Sequence, residues 1–381
     1  MVGLLLKVAY FSNQFSDVRG HGIARYAREL FQALQDVDGS MKITPVSAWS
    51  GLEGEALSVL QAETGLEILP WGQKLTPLTW SFLNSPKLEN GLSSPVDLVH
   101  AVALGYPVAT NKPYVVTVHD IGPLTHPEYF TPKGTWIMKR SLKQMVDRAA
   151  AIICVSHSTA NELESYCGGS VADRIQVVHE GISEEFQAPA DDSGRALLDT
   201  LGLGDTPYIL SAGAISPRKN TRRIIQALSR LKDRIPHHLV LVGGKGWSDE
   251  QVHSELAKSG IADRVHLTGY ATDEQLKGLF AGASVYVHPS LYEGFGLTVL
   301  EAMAQGCPVV TSNVYSLPEV AGDAGVLIDP TSVDEIADAI EAICSDEVLA
   351  ADLSIRGQER TKAFSWSECA TGVMDVYRKV L

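Results

Sequence analysis

The 381-residue chain has no apolar stretch near the roughly 18–20 residues that a membrane-spanning helix needs, so membrane contact, if any, is expected at a surface. Its early run LLLKVAYF is short and is followed by polar, glycine-containing sequence without a small-residue cleavage site. It reads as a first strand and not as a signal peptide. No cysteine pair has CxxC spacing. Cys154, Cys167, Cys307, Cys344 and Cys369 are scattered and odd in number, which argues against a disulfide frame or a zinc site and for reduced thiols in a cytoplasmic protein. A basic block is missing too. The formal net charge is −14 and neither half of the chain is basic, so nucleic acid is not expected as a partner. Repeats and low-complexity segments are also absent.

What is present is a globular composition, 45% hydrophobic and 20% charged, at a length too great for one ordinary core. Two domains follow as the expectation. Short β-branched runs alternate with amphipathic segments of helical length, the pattern of parallel sheets covered by helices. The clearest strands are expected at Leu4–Phe11, Tyr114–Val118, Tyr208–Ala212, His238–Val242 and Ser284–His288, and the clearest helices at Gly22–Gln35, Lys133–Ala149 and Thr221–Arg234. GISEEFQAPADDSG (Gly181–Gly194) is polar and aperiodic and serves as the linker, giving domains 1–186 and 187–365. Ligands of doubly wound sheets bind beyond the carboxyl ends of the strands, so the two sheets are expected to face each other across a cleft.

The most informative segment is PSLYEGFGLTVLEAMAQGCP, Pro289–Pro308. A strand ends, the chain turns through Glu293-Gly294-Phe295-Gly296, and a short apolar helix follows, carrying Glu301 about two turns inside it. A helix start offers unpaired N–H groups and partial positive charge to an anion, and the glycines allow close approach. Two carboxylates so placed can grip the two ends of a sugar nucleotide. In SAGAISPRKN (Ser211–Asn220), Arg218 and Lys219 precede a helix with Asn220 as its N-cap; two cations there suit a diphosphate and the charge that grows as it leaves. LVGGKGW places Gly243 and Gly244 under a nucleotide, with Lys245 either beside it or solvated. Asp36-Val37-Asp38 has the form of a DxD metal motif but sits at a helix end far from these segments, and it reads as a solvated turn.

The Glu293–Glu301 string resembles the E-x7-E signature of the retaining GT-B glycosyltransferases, specifically the group-4 family with its many bacterial mannosyl- and glucosyltransferases, and the resemblance extends over nearly the full chain. It implies a GT-B fold of two facing Rossmann-like domains, the first binding the acceptor and the second the nucleotide sugar, with a final helix (366–381) crossing back to the first domain. It also implies that Glu301 holds the ribose hydroxyls and Glu293 the donor sugar. Amides near Gly294, Phe295, Gly296 and Leu297 would then reach sugar hydroxyls, and those near Thr298 the phosphate. LTGYATDEQL resembles the family segment that edges the base, where Tyr270 either stacks or packs. In SDVRGHGIARYAREL, Gly20 and Gly22 resemble the family's glycine loop over the diphosphate and acceptor; Arg19 and His21 are contacts or turn residues. His119 in TVHDIGPL matches a family histidine near the anomeric carbon, and Asp120 orients a loop. Two departures stand out: Ala214 replaces a common arginine, whose work falls to Arg218, and Thr298 replaces a common proline.

The expected activity is transfer of a hexosyl unit with retention, without a metal or other cofactor, from a nucleotide-diphosphate sugar to a glycan or lipid-linked hydroxyl. GDP-mannose is the first donor candidate. A UDP-sugar 2-epimerase of the same fold and a non-catalytic sugar-nucleotide scaffold are the rivals. Residues 131–149 form a basic amphipathic helix that either packs one face on the sheet or lies on anionic lipid at the inner membrane face, and Leu75–Leu83 reads as an apolar acceptor loop.

Overall fold

The computed structural model describes residues 5–17, 22–37, 39–105, 107–244 and 249–381. The chain forms two compact units, Met1–Gly181 with Trp366–Leu381, and Ile182–Ser365. The division thus falls after Gly181, close to the start of the polar segment expected as a linker.

The first unit is built on β1 (Leu6–Phe11), β2 (Met41–Ser47), β3 (Glu67–Ile68), β4 (Leu98–Ala101), β5 (Tyr114–Val118), β6 (Ala151–Cys154) and β7 (Ile175–Val177). Their order across the sheet is β3-β2-β1-β4-β5-β6-β7, and every pairing is parallel. Strands β4, β5 and β6 are buried at every position, as sequences such as YVVTV and AIIC require when helices cover both faces. The Trp366–Val380 helix buries Trp366, Cys369, Ala370, Val373, Met374 and Tyr377, a helical stripe, and packs against the Gly22–Val37 helix.

The second unit holds β8 (Tyr208–Ala212), β9 (His238–Val242), β10 (Val265–Gly269), β11 (Val285–His288), β12 (Val309–Ser312) and β13 (Val326–Ile328), ordered β10-β9-β8-β11-β12-β13 and again wholly parallel. In each sheet the winding reverses once, between β1 and β4 and between β8 and β11. Loops leave in opposite directions there, which opens a crevice at the strand ends.

Some expectations need correction. Leu75–Leu83 is not a loop: it belongs to a helix, Gly72–Leu83, whose internal Pro77 hid it from a reading of helix breakers. A helix at Gly54–Thr64 has no apolar stripe and no buried residue, so periodicity gave it no signal. The helix after Asn220 ends at Arg230. None of the five cysteines is in a disulfide, and Cys154, Cys307 and Cys369 are buried. Among the described residues no helix is long and apolar enough to cross a membrane.

Candidate active site

At the β8/β11 reversal of the second unit, two loops meet. After β8 the chain passes Gly213, makes a short turn Pro217–Lys219, and enters the Thr221–Arg230 helix. After β11 it turns through Glu293 and Gly296 into the Leu297–Ala304 helix. The loops are tied where the Leu291 amide donates to the Arg218 carbonyl at 2.7 Å. Asn220 strengthens the tie differently from expectation. It occupies the N-cap position but in the left-handed region (φ 60°), and its side chain caps nothing; its amide donates instead to the carbonyls of Pro289 (2.9 Å) and Pro330 (2.7 Å). Ser316, after β12, lies 2.9 Å from the Glu293 carbonyl and 2.7 Å from that of Phe295, fixing the far side of the turn.

Glu293 is the centre of the cluster. Its carboxylate lies 2.6 Å from Arg218 Nη1, 2.7 Å from Lys219 Nζ and 3.3 Å from His288 Nε2. Burial by itself would raise the Glu293 carboxyl, but the Arg218 and Lys219 charges and the His288 N–H hold it well below the ordinary value. Burial lowers Lys219, opposed by the Glu293 charge. His288 is lowered to about 4 by burial and then by the Lys219 charge, so its ring is neutral at pH 7. Because a carboxylate only accepts, Nε2 carries the proton toward Glu293, and Nδ1 accepts from the Tyr286 hydroxyl 2.8 Å away. The cluster sits at the start of a crevice lined by Gly213, Lys219, Gly243, Leu267 and His288, and the Glu301 charge also acts on Lys219. His288 and Tyr286 were not singled out by sequence reasoning, since a strand-end histidine and a strand tyrosine carry no pattern of their own.

The other expected donor residues are placed as follows. Glu301 is buried in the second turn of its helix, nearer the helix start than the sequence reading put it. Thr298 bonds the Tyr286 side chain. The Phe295 ring is buried against Phe364 at 5.9 Å, so only its backbone is left for a ligand. Gly296 has φ 120° and a Cβ there would meet Leu317 at 2.9 Å. Gly243, at φ 150°, has its amide bonded to the Gly269 carbonyl, and a Cβ would lie 2.1 Å from the Gly213 carbonyl oxygen. Its glycine is therefore demanded by the packing of two strand ends. Gly244 and Tyr270 are exposed. Lys245 lies outside the described residues.

In the first unit His119 follows β5. Its Nε2 donates to the Val102 carbonyl at 2.9 Å, its Nδ1 lies 3.0 Å from Glu180, and the Tyr26 ring meets it edge-on at 4.6 Å. Sequence reasoning did not find Glu180 as the partner. Asp120 accepts from the Gly122 amide at 3.0 Å, a local turn bond. Gly22 opens the Gly22–Val37 helix. Arg19, Gly20, His21 and Asp38 lie outside the described residues. The Pro132–Arg148 helix turns Leu142, Met145 and Val146 into the core, so its apolar side is used for packing.

Comparison with known proteins bears on the family and the fold. Residues 199–360 match the family described as Glycosyl transferases group 1, and residues 20–186 match Glycosyltransferase Family 4. The chain is 36% identical over 266 residues to O-antigen chain mannosyltransferase B of Escherichia coli, covering 69% of this chain and 70% of that one. The chain belongs to these glycosyltransferases. It is also 32% identical over 284 residues to the E. coli serotype-specific mannosyltransferase WbdA, although that match spans only 34% of WbdA. Among solved structures, Anabaena HepE, crystallised with UDP and glucose, matches this glycosyltransferase with a TM-score of 0.77 at 19% identity, covering 98% of this chain and all 100% of that one. WaaG, a glycosyltransferase involved in lipopolysaccharide biosynthesis, gives 0.73 at 16% identity, covering 97% and 99%. At such identities these structures bear on the fold alone, and the fold is GT-B: two Rossmann-like units.

Proposed function

We propose that this glycosyltransferase moves a hexosyl unit, mannosyl from GDP-mannose first, from a nucleotide-diphosphate sugar to a hydroxyl of a glycan or lipid-linked acceptor, with retention. The observation that carries the reading is the Arg218–Lys219–Glu293 cluster at the strand reversal of the second unit, directly before the helix bearing Glu301. The mannosyl choice is supported by the relatives named as mannosyltransferases.

In this reading residues 187–365 bind the donor and 1–186 the acceptor. Arg218 and Lys219 take the diphosphate; its oxygens draw the cations from Glu293, which then accepts from sugar hydroxyls. Glu301 holds the ribose, and amides of 294–298 complete the seat. The C–O bond to the diphosphate breaks, its electron pair leaving with the phosphate oxygen. That oxygen takes the proton of the incoming hydroxyl as the new glycosidic bond forms on the same face. Positioning and phosphate stabilisation supply the rate, so no side chain serves as nucleophile. His119 lies at the transferred sugar, its ring fixed by Glu180 and Val102. The contact of 131–149 with a membrane is electrostatic, since the apolar side of that helix is in the core.

Calorimetric titration with GDP, UDP, ADP and dTDP tests the reading. Binding selective for GDP and lost in Glu301→Ala is the expected result. Failure of every diphosphate to bind would overturn it.

A further inference from the structure

We infer that His288, steered by Tyr286 and Thr298, is a positioning residue of the donor site. Its ring N–H keeps Glu293 an ionised acceptor for sugar hydroxyls once the diphosphate has drawn Arg218 and Lys219 away. The inference deepens the donor reading above and rests on it.

Glu293 has two kinds of partner. Arg218 and Lys219, at 2.6 and 2.7 Å, are flexible cations that suit a phosphate equally well. His288 Nε2, at 3.3 Å, is different. Its ring is buried on β11, and its carbonyl accepts from Thr311 Oγ1 at 3.0 Å. The turn that follows is tied as well, since Ser312 Oγ donates to the Ser290 carbonyl at 2.7 Å. The ring is lowered to about 4, first by burial and only then by the Lys219 charge, so it is neutral and a diphosphate does not pull it. With the donor in place, His288 is the partner that stays. A buried carboxyl stripped of its cations rises and takes up a proton unless a donor holds its charged form. Glu301, whose charge acts on both Lys219 and Tyr286, adds to that drive as a second anion.

The tautomer is set from behind the ring. Tyr286, fully buried on the same strand, puts its hydroxyl 2.8 Å from His288 Nδ1. Its other acceptor, the Ala212 carbonyl, is farther away at 3.4 Å. Thr298, in the first turn of the next helix, bonds the Tyr286 oxygen. Donors thus run from Thr298 to Tyr286 to His288 and end on the Nε2–H, each polarising the next. The Ser290 hydroxyl, 3.2 Å from the same nitrogen, shares that proton. Glu293 Oε1, on the Lys219 and His288 side, is buried without a well-directed hydrogen-bond partner, so it has acceptor capacity left for a hydroxyl.

The test counts protons taken up when GDP-mannose binds, by calorimetry at pH 6 in two buffers of different ionisation heat. GDP-mannose carries no phosphate that titrates there. The parent should take up almost none, and His288→Leu about half a proton or more per site. His288→Gln places an amide N–H near the position of Nε2 and should restore the parent count. Tyr286→Phe leaves Nδ1 without its donor and should fall between. A residue that only packs would change affinity or melting temperature but not this count. His288→Leu binding with the parent count overturns the inference and leaves the donor reading standing, as does a parent that takes up as much as the variant. A parent that binds no GDP-mannose overturns the donor reading and the inference together. Should His288→Leu fail to fold or to bind, Tyr286→Phe decides: added uptake supports the relay, and the parent count overturns it.

Discussion

Glu293 is nearly enclosed and holds two cations and an imidazole N–H at once, so its removal is felt twice. Glu293→Gln leaves Arg218 and Lys219 close together without their counter-charge, and a loss of about 3–5 kcal/mol is expected for breaking a buried pair. The pH dependence has a definite sign. The folded carboxyl lies below its ordinary 4.5, so its stabilisation is present above pH 4.5 and is lost as pH falls toward the folded value. Urea midpoints below pH 4.5 should fall less steeply in Glu293→Gln than in the parent. By the role proposed for Glu301, Glu301→Ala should instead weaken donor binding by about 1.5–3 kcal/mol, read by calorimetry. The residue types of this site were legible in the sequence because the glycines and both carboxylates fall in one continuous string, Glu293 to Glu301, at the end of a strand. Their partners were not. Glu293 and Arg218 are distant in the chain, and only the folded sheet order makes them neighbours.

Strands were the most legible elements, since a strand buried on both faces must be a short apolar run, as in β5, β8 and β9. The Gly72–Leu83 helix was not legible, because Pro77 and an outward apolar face both contradict the pattern of a packed helix. Contacts between elements were hidden as well. The Ser193–Thr200 and Asp273–Gly282 helices touch backbone to backbone, and a Cβ on Gly194 would lie 2.3 Å from the Gly278 carbonyl carbon. Gly278→Ala should force these helices apart at a cost of about 1–3 kcal/mol, measured as a lower melting temperature. An unchanged melting temperature would show that the pair slides without cost.

At the scale of the whole molecule, the first unit is held by a polar link between the two chain segments that build it. His100 in β4 lies 2.7 Å from the Tyr377 hydroxyl and 2.8 Å from Thr117. Burial lowers His100 to about 3, so the ring is neutral in the folded protein. Its stabilisation is complete above the ordinary value of 6.5 and is lost as pH falls toward 3, with a slope of about 1.4 kcal/mol per pH unit. His288, lowered to about 4, acts with the same sign in the second unit. Denaturant titrations at pH 7 and pH 5 should show this loss, and His100→Asn should reduce it. Tyr377→Phe should cost about 1–3 kcal/mol by orphaning the ring nitrogen. The two-unit fold itself was legible from length and alternating pattern; no sequence period announces that His100 and Tyr377 meet.

That meeting also sets a schedule for biosynthesis. The second unit is one continuous segment, Ile182–Ser365, and can close as it leaves the ribosome. The first unit is begun earlier and finished later, because residues 366–381 are translated after everything they pack against. Until they emerge, the Gly22–Val37 helix lacks its main neighbour and His100 lacks Tyr377. A chain truncated after residue 365 and released should therefore protect its second unit from protease while its first unit is still cut.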